Sequence, residues 1–201
     1  MKKQIQFLKS TVLKHIFVSA LLLLVFIITL PSCNNTNHED TKEVAEERNG
    51  EKFDKAKEND AEFLVSAAEI NFEEIQLGQL AQSNSTNAEV KNLGEMMEAA
   101  HTKALNDLKV LAINKQITIP TSLTDKGQEA YNKLMNKQGN DFDKKYCDMM
   151  ISGHKDAISK FEKASTDAND LDIRNWATSM LPELRTHLEH SITCQRQLGN
   201  M

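Results

Sequence analysis

The sequence predicts an all-α protein, a four-helix bundle built from two helical hairpins with a long crossover between them. Apolar residues recur at helical spacing in four long segments, and short polar breaks fall inside each half of the chain. Between the halves lies a stretch of different character, residues 116–140. A long crossover between hairpins is the ferritin-like variant of the bundle, whereas an up-down-up-down order needs only short loops.

The chain begins with Lys2, Lys3, Lys9 and Lys14 and no acid, followed by the apolar run IFVSALLLLVFIITL. A basic start and an apolar stretch shorter than the roughly 20 residues needed to span a bilayer read as an export signal over residues 1–32. Leu30 and Ser32 before Cys33 resemble the lipobox of bacterial lipoproteins, with Pro31 a less usual member, so Cys33 is the expected lipidation site. The expected location is the bacterial cell envelope, lipid-anchored and facing the periplasm or the cell surface. Residues 33–59 carry Asn, Glu, Lys and Asp with few apolar side chains, which predicts a flexible acidic tether.

The folded domain is expected over residues 60–201. Helical periodicity places the first hairpin at 60–83 and 88–115, split by SNSTN, and the second at 141–168 and 171–198, split near Asn169 and Asp170. In the crossover, ITIPTSLT reads as extended and DKGQEAYNKLMN as a short extra helix capped by Thr124.

Removing residues 1–32 takes away four lysines and no acid, which lowers the formal charge from −5 to −9. No clustered basic surface remains, so nucleic acid is excluded as a partner. The membrane, reached through Cys33, is the one partner the sequence points to.

Each long segment has one ionisable residue on its apolar stripe. Glu74 interrupts Phe63, Ala67, Ile70, Leu77 and Ala81; His101 interrupts Val90, Leu93, Met97, Ala104 and Leu108. His154 lies among Tyr146, Met150, Ala157 and Phe161, and His187 among Ile173, Met180, Leu184 and Leu198. All four sit near their helix midpoints, so they are expected to meet in one layer. Three histidines and a carboxylate form a ligand set that zinc, iron or copper accepts. The expected cofactor is one such transition-metal ion, and the competing reading is that each histidine is simply hydrogen-bonded within the core. Glu98, three residues before His101, gives the Glu-x-x-His spacing of di-iron carboxylate proteins, but Ile151 and Leu184 stand at the matching places before His154 and His187. A single histidine-rich site is therefore favoured, with Glu98, Asp143 and Tyr146 as candidates to stand behind the ligands.

In an antiparallel hairpin His154 pairs with His187 in the same register as Cys147 with Cys194, one heptad or roughly 10 Å away. Export would place these cysteines where disulfides persist, and a bridge between Cys147 and Cys194 is expected.

The pattern Glu74-x-x-Leu77-Gly78-x-Leu80-Ala81, then Met97, His101, Pro120, Phe142-Asp143-x-x-Tyr146, His154 and Leu181-Pro182-x-Leu184-x-x-His187-Leu188 resembles domain of unknown function 4142 over residues 60–198. The resemblance implies a ferritin-like, often exported protein without an established activity. Members usually carry an acid directly before the helix-two histidine, where this chain has Ala100, and often another where it has Gln76. No serine, cysteine or carboxylate pair has the neighbours that nucleophilic or acid–base catalysis requires, so no turnover is asserted and an enzyme reading ranks third. Two functions stay open: a lipid-anchored bundle binding a metal at its Glu/His centre, or a structural or partner-binding envelope lipoprotein without metal.

Overall fold

A computed structural model describes residues 39–199. The expected signal (1–32), Cys33 and the first part of the tether lie outside the described residues. Among the described residues the protein is all-helical, with six helices and no strand: α1 Thr41–Lys52, α2 Lys55–Asn84, α3 Ala88–Lys115, α4 Asp125–Met135, α5 Gly139–Asp167 and α6 Leu171–Gly199. No helix among them is long and apolar enough to cross a membrane.

The four long helices fall where the periodicity puts them, and their starts have local causes. Asn87 Oδ1 accepts from the backbone of Glu89 and Val90 to start α3, and Asp170 Oδ1 does the same for Asp172 and Ile173 at α6. Thr124 caps α4 through Gly127 N, as expected. At the end of α3 Gln116 takes a left-handed conformation (φ 57°) and its N–H bonds back into the last turn.

Helices α2 and α3 pack along most of their length, as do α5 and α6, and the pairs meet mainly through α2 on α5 and α3 on α6. Apolar side chains divide into two layers. One holds Leu64, Leu108, Phe161, Ile173 and Leu184; the other holds Leu77, Val90, Met97, Phe142, Tyr146 and Met150. Glu74, His101, His154 and His187 belong to neither apolar cluster. The long crossover lies against the α2 side, and α4 packs on α2 and, less extensively, on α5.

The segment expected as a tether needs correction. Residues 41–52 form α1, which docks on the domain, and α2 begins at Lys55 rather than near residue 60. Polar groups fasten it. Asn49 exchanges two hydrogen bonds with Thr118, donating Nδ2–H to the carbonyl (2.7 Å) and accepting from the backbone N–H (2.8 Å). Asp40 caps α1 and also accepts from Asp125 N, while Lys42 reaches the buried Glu69 at 3.1 Å. Glu69 further accepts from Thr124 Oγ1. One buried carboxylate thereby ties α1, α2 and the start of α4 together. At the other end, Asp60 accepts from the backbone N–H groups of Asn169 and Asp170, both at 2.8 Å, and clamps the α5–α6 turn to α2.

Candidate metal centre

The histidines of α3, α5 and α6 turn inward at one level. Their ring centroids form a nearly equilateral triangle with sides of 5.3, 5.4 and 5.6 Å. His101, His154 and His187 are all buried, and one ligand nitrogen of each lies within 4.8 Å of the other two. Glu74 joins them from α2, with Oε1 3.8 Å from His154 Nδ1. The three histidines are thus brought into one close group, with Glu74 at its edge beside His154.

Hydrogen bonds decide which nitrogen is free in two of the rings. His154 Nδ1 lies 2.8 Å from the Met150 carbonyl, which can only accept, so Nδ1 carries the proton and Nε2 holds the lone pair. His101 Nδ1 lies 3.0 Å from Asn71 Oδ1, and Asn71 Nδ2 donates to the Ala67 carbonyl at 2.7 Å. That second bond fixes the amide with its oxygen toward the histidine, so Nδ1 of His101 also donates. His101 Nε2, His154 Nε2 and His187 Nδ1 are buried without a hydrogen-bond partner, as is Glu74 Oε2. Buried polar atoms nearly always find partners, and three orphaned ring nitrogens within 4.8 Å of one another call for a shared one.

Electrostatics keep the rings neutral. Burial pulls His154 and His187 down to about 4, and burial with the neighbouring rings holds His101 well below the usual histidine range. Neutral imidazole is the form that binds a metal. Burial pushes the Glu74 carboxyl well above its usual range, with the nearby Glu73 adding to the shift. A cation in the layer would remove that penalty by giving the carboxylate a partner.

The three residues expected behind the ligands lie elsewhere or act differently. Glu98 is only half-buried and accepts from Gln79 and Gln82 at 2.7 and 2.6 Å, so its carboxylate belongs to the α2–α3 surface. Asp143 accepts from Ser85 Oγ at 2.6 Å and ties the α2–α3 loop to the start of α5. Tyr146 is fully buried with an unpartnered hydroxyl, and burial followed by the Glu74 charge pushes that hydroxyl well above its usual range. Of the three, Tyr146 alone has its hydroxyl shifted by the Glu74 carboxylate.

Sequence reasoning missed Asn71, which orients His101. It lies three residues before Glu74 on α2, a spacing that shares a helix face, and a buried asparagine beside a candidate ligand was the available signal. Gly153 was missed as well: a Cβ there would stand 3.0 Å from Glu74 Oε1, so the glycine leaves room for the carboxylate. The expected disulfide also needs revision, because Cys147 and Cys194 are free thiols, with the Cys147 thiol donating to the Cys194 sulfur at 3.0 Å.

The family model described as Domain of unknown function (DUF4142) matches residues 45–193. No curated protein and no solved structure matches the chain. With about three quarters of its length matched, the chain belongs to the DUF4142 family.

Proposed function

We propose that this DUF4142 member is an envelope lipoprotein whose ferritin-like four-helix bundle, formed by α2, α3, α5 and α6, holds one divalent transition-metal ion. His101, His154 and His187 supply neutral nitrogens and Glu74 supplies the carboxylate. The observation that carries this reading is the set of three buried, unpartnered ring nitrogens converging from three helices.

Zinc fits the donor set best: three imidazoles and a carboxylate suit a closed tetrahedral site of structural type. Metal–nitrogen bonds of about 2.0–2.1 Å in a tetrahedron place the nitrogens roughly 3.3 Å apart. A spread of up to 4.8 Å therefore closes by small ring movements rather than by a shift of helices. Asn71 and the Met150 carbonyl, each accepting from the far nitrogen of a ring, hold two ligands in orientation.

Metal analysis of protein purified without a histidine tag tests the reading. Close to one equivalent of metal per chain is expected, with zinc, iron and copper distinguished by the assay. His101→Ala with His187→Ala should reduce retained metal to background. Metal content unchanged by the double substitution would refute ligation.

The anchoring half of the proposal rests on the export signal and on Leu30-Pro31-Ser32-Cys33. Cells fed a labelled fatty acid should incorporate label into the wild-type protein and none into Cys33→Ser. Equal label in both would overturn it.

A further inference from the structure

Outside the histidine layer the described residues hold a second cluster of reactive side chains. Cys147 of α5 and Cys194 of α6 lie in the layer of Phe142, Tyr146 and Leu198, with their sulfurs 3.0 Å apart. They differ in what they can reach. Both are buried, Cys147 completely and Cys194 at 4% exposure, and Cys194 lines a cleft of about 220 Å³ between the start of α3 and the end of α6. Glu89, Asn92, Thr193 and Gln197 line the same cleft, as does His190, one turn before Cys194 on its own helix. Leu93 and Met96 add apolar surface, so the mouth mixes charged, amide, hydroxyl and apolar groups with a thiol at its base.

We propose that Cys194 and Cys147 form a thiol–disulfide exchange site for low-molecular-weight disulfides of the cystine or glutathione type, with Cys194 attacking and Cys147 resolving. Two observations support the division of labour. Only Cys194 borders the cleft. The hydrogen bond runs from the Cys147 thiol to the Cys194 sulfur, which lowers Cys194 from its usual range against the opposing effects of burial, Glu89 and Asp143, and raises Cys147. The thiolate is the nucleophile, so the group poised to attack is the one facing the cleft. Amide, hydroxyl and charged groups at the mouth suit the amino and carboxyl groups of an amino-acid disulfide, and Leu93 and Met96 suit its methylene and sulfur atoms.

The exchange balances without a further reagent. The Cys194 thiolate attacks one sulfur of the disulfide R–S–S–R, forming a Cys194–S–S–R mixed disulfide and expelling R–S⁻. Cys147, as thiolate, then attacks Sγ of Cys194, forming the internal disulfide and expelling the second R–S⁻. Two electrons pass from the pair to the small disulfide, and the two thiol protons end on two molecules of R–SH. The site is independent of any metal in the histidine layer.

The test uses the full-length chain, reduced, freed of reductant, and exposed natively to glutathione disulfide before an acid quench. Trypsin cleavage after Lys145 and Lys155, and after Arg185 and Arg196, puts Cys147 and Cys194 on separate peptides, with Cys33 on a third. In the wild type the first two peptides are expected to emerge linked. Cys147→Ser should trap glutathione on Cys194, while Cys194→Ser should leave Cys147 unmodified or at least about tenfold slower to react. A wild type that keeps both thiols would overturn the proposal, as would a Cys147 that captures glutathione as fast as Cys194 does. Should either variant fail to fold, a native iodoacetamide pulse on the wild type decides between the cysteines. Cys194 labelled about tenfold faster than Cys147 supports the assignment, and equal rates or the reverse order overturn it.

Discussion

Replacing Gly78 by valine is expected to lower the unfolding free energy by about 3 kcal/mol, at the upper end of what overpacking usually costs. Helices α2 and α3 touch backbone to backbone at this point. A Cβ on Gly78 would stand 2.7 Å from the Gly94 carbonyl oxygen and 3.1 Å from Glu98 N, and a Cβ on Gly94 would meet the Gly78 carbonyl at the same 2.7 Å. Neither obstacle is a side chain that can swing away, so the helices must separate, loosening the packing of Leu77, Ala81, Val90 and Leu93 around the contact. Alanine makes the sharper comparison. Helix propensity alone predicts that Gly78→Ala gains about 1 kcal/mol, whereas the contact predicts a net loss. Denaturant unfolding with an unchanged m-value reads the sign directly. An alanine variant about 1 kcal/mol more stable than the wild type would show that the close approach is unimportant. The same separation reaches the histidine layer, because Glu74 and Asn71 ride on α2 one and two turns before Gly78, and His101 on α3 two turns after Gly94. Metal retention should therefore fall together with stability.

What the sequence disclosed about the molecule follows from how each part is held. The long helices were legible because an apolar stripe at helical spacing is their main source of burial, and each stripe shows its one ionisable interruption plainly. The convergence of Glu74, His101, His154 and His187 followed from position along each helix, and the matched register of Cys147 with Cys194 followed from antiparallel pairing. Helix α1 was illegible for the opposite reason. Only Ala45 and Asn49 of its residues are buried, and it docks through Asp40, Lys42, Asn49 and Lys52, a polar composition that resembles a solvated linker. The roles of Glu98 and Asp143 failed because spacing fixes a helical face but not what a long or terminal side chain finds there. Glu98 found two glutamines and Asp143 found a loop serine. Gln79 and Gln82 become meaningful only once α2 and α3 are packed. Tyr146 was read more nearly, since a residue two turns before His154 stays close to its face.

In the metal-free protein, stability is expected to peak near neutral pH and to fall on both sides, for two distinct reasons. On the acid side, His154 and His187 are held at about 4 in the folded chain against an ordinary 6.5, and His101 lies lower than its ordinary value as well. As pH falls from about 6.5 toward 4 the unfolded chain takes up protons that the folded one refuses, so stability is lost. Each of His154 and His187 contributes on the order of 3 kcal/mol over that window. Glu74 acts in the opposite sense. Its folded carboxyl lies well above 4.5, so the folded chain keeps a proton that the unfolded chain releases, and this contribution fades as pH rises through the folded value. Between about 4.5 and 6.5 one proton kept by Glu74 opposes as many as three refused by the histidines, and the acid loss wins. Above that window the histidines no longer contribute to the slope, which the Glu74 carboxyl alone sets. Denaturant unfolding at each pH in the presence of a chelator measures both limbs. Glu74→Gln should flatten the alkaline limb and leave the acid limb in place. Stability that stays level from pH 7 to 4.5, or an acid limb abolished by Glu74→Gln, would contradict the assignment of the limbs to these groups. Loaded metal should suppress the alkaline limb in the wild type too, because a cation holds Glu74 ionised in the folded state and binding itself displaces the proton.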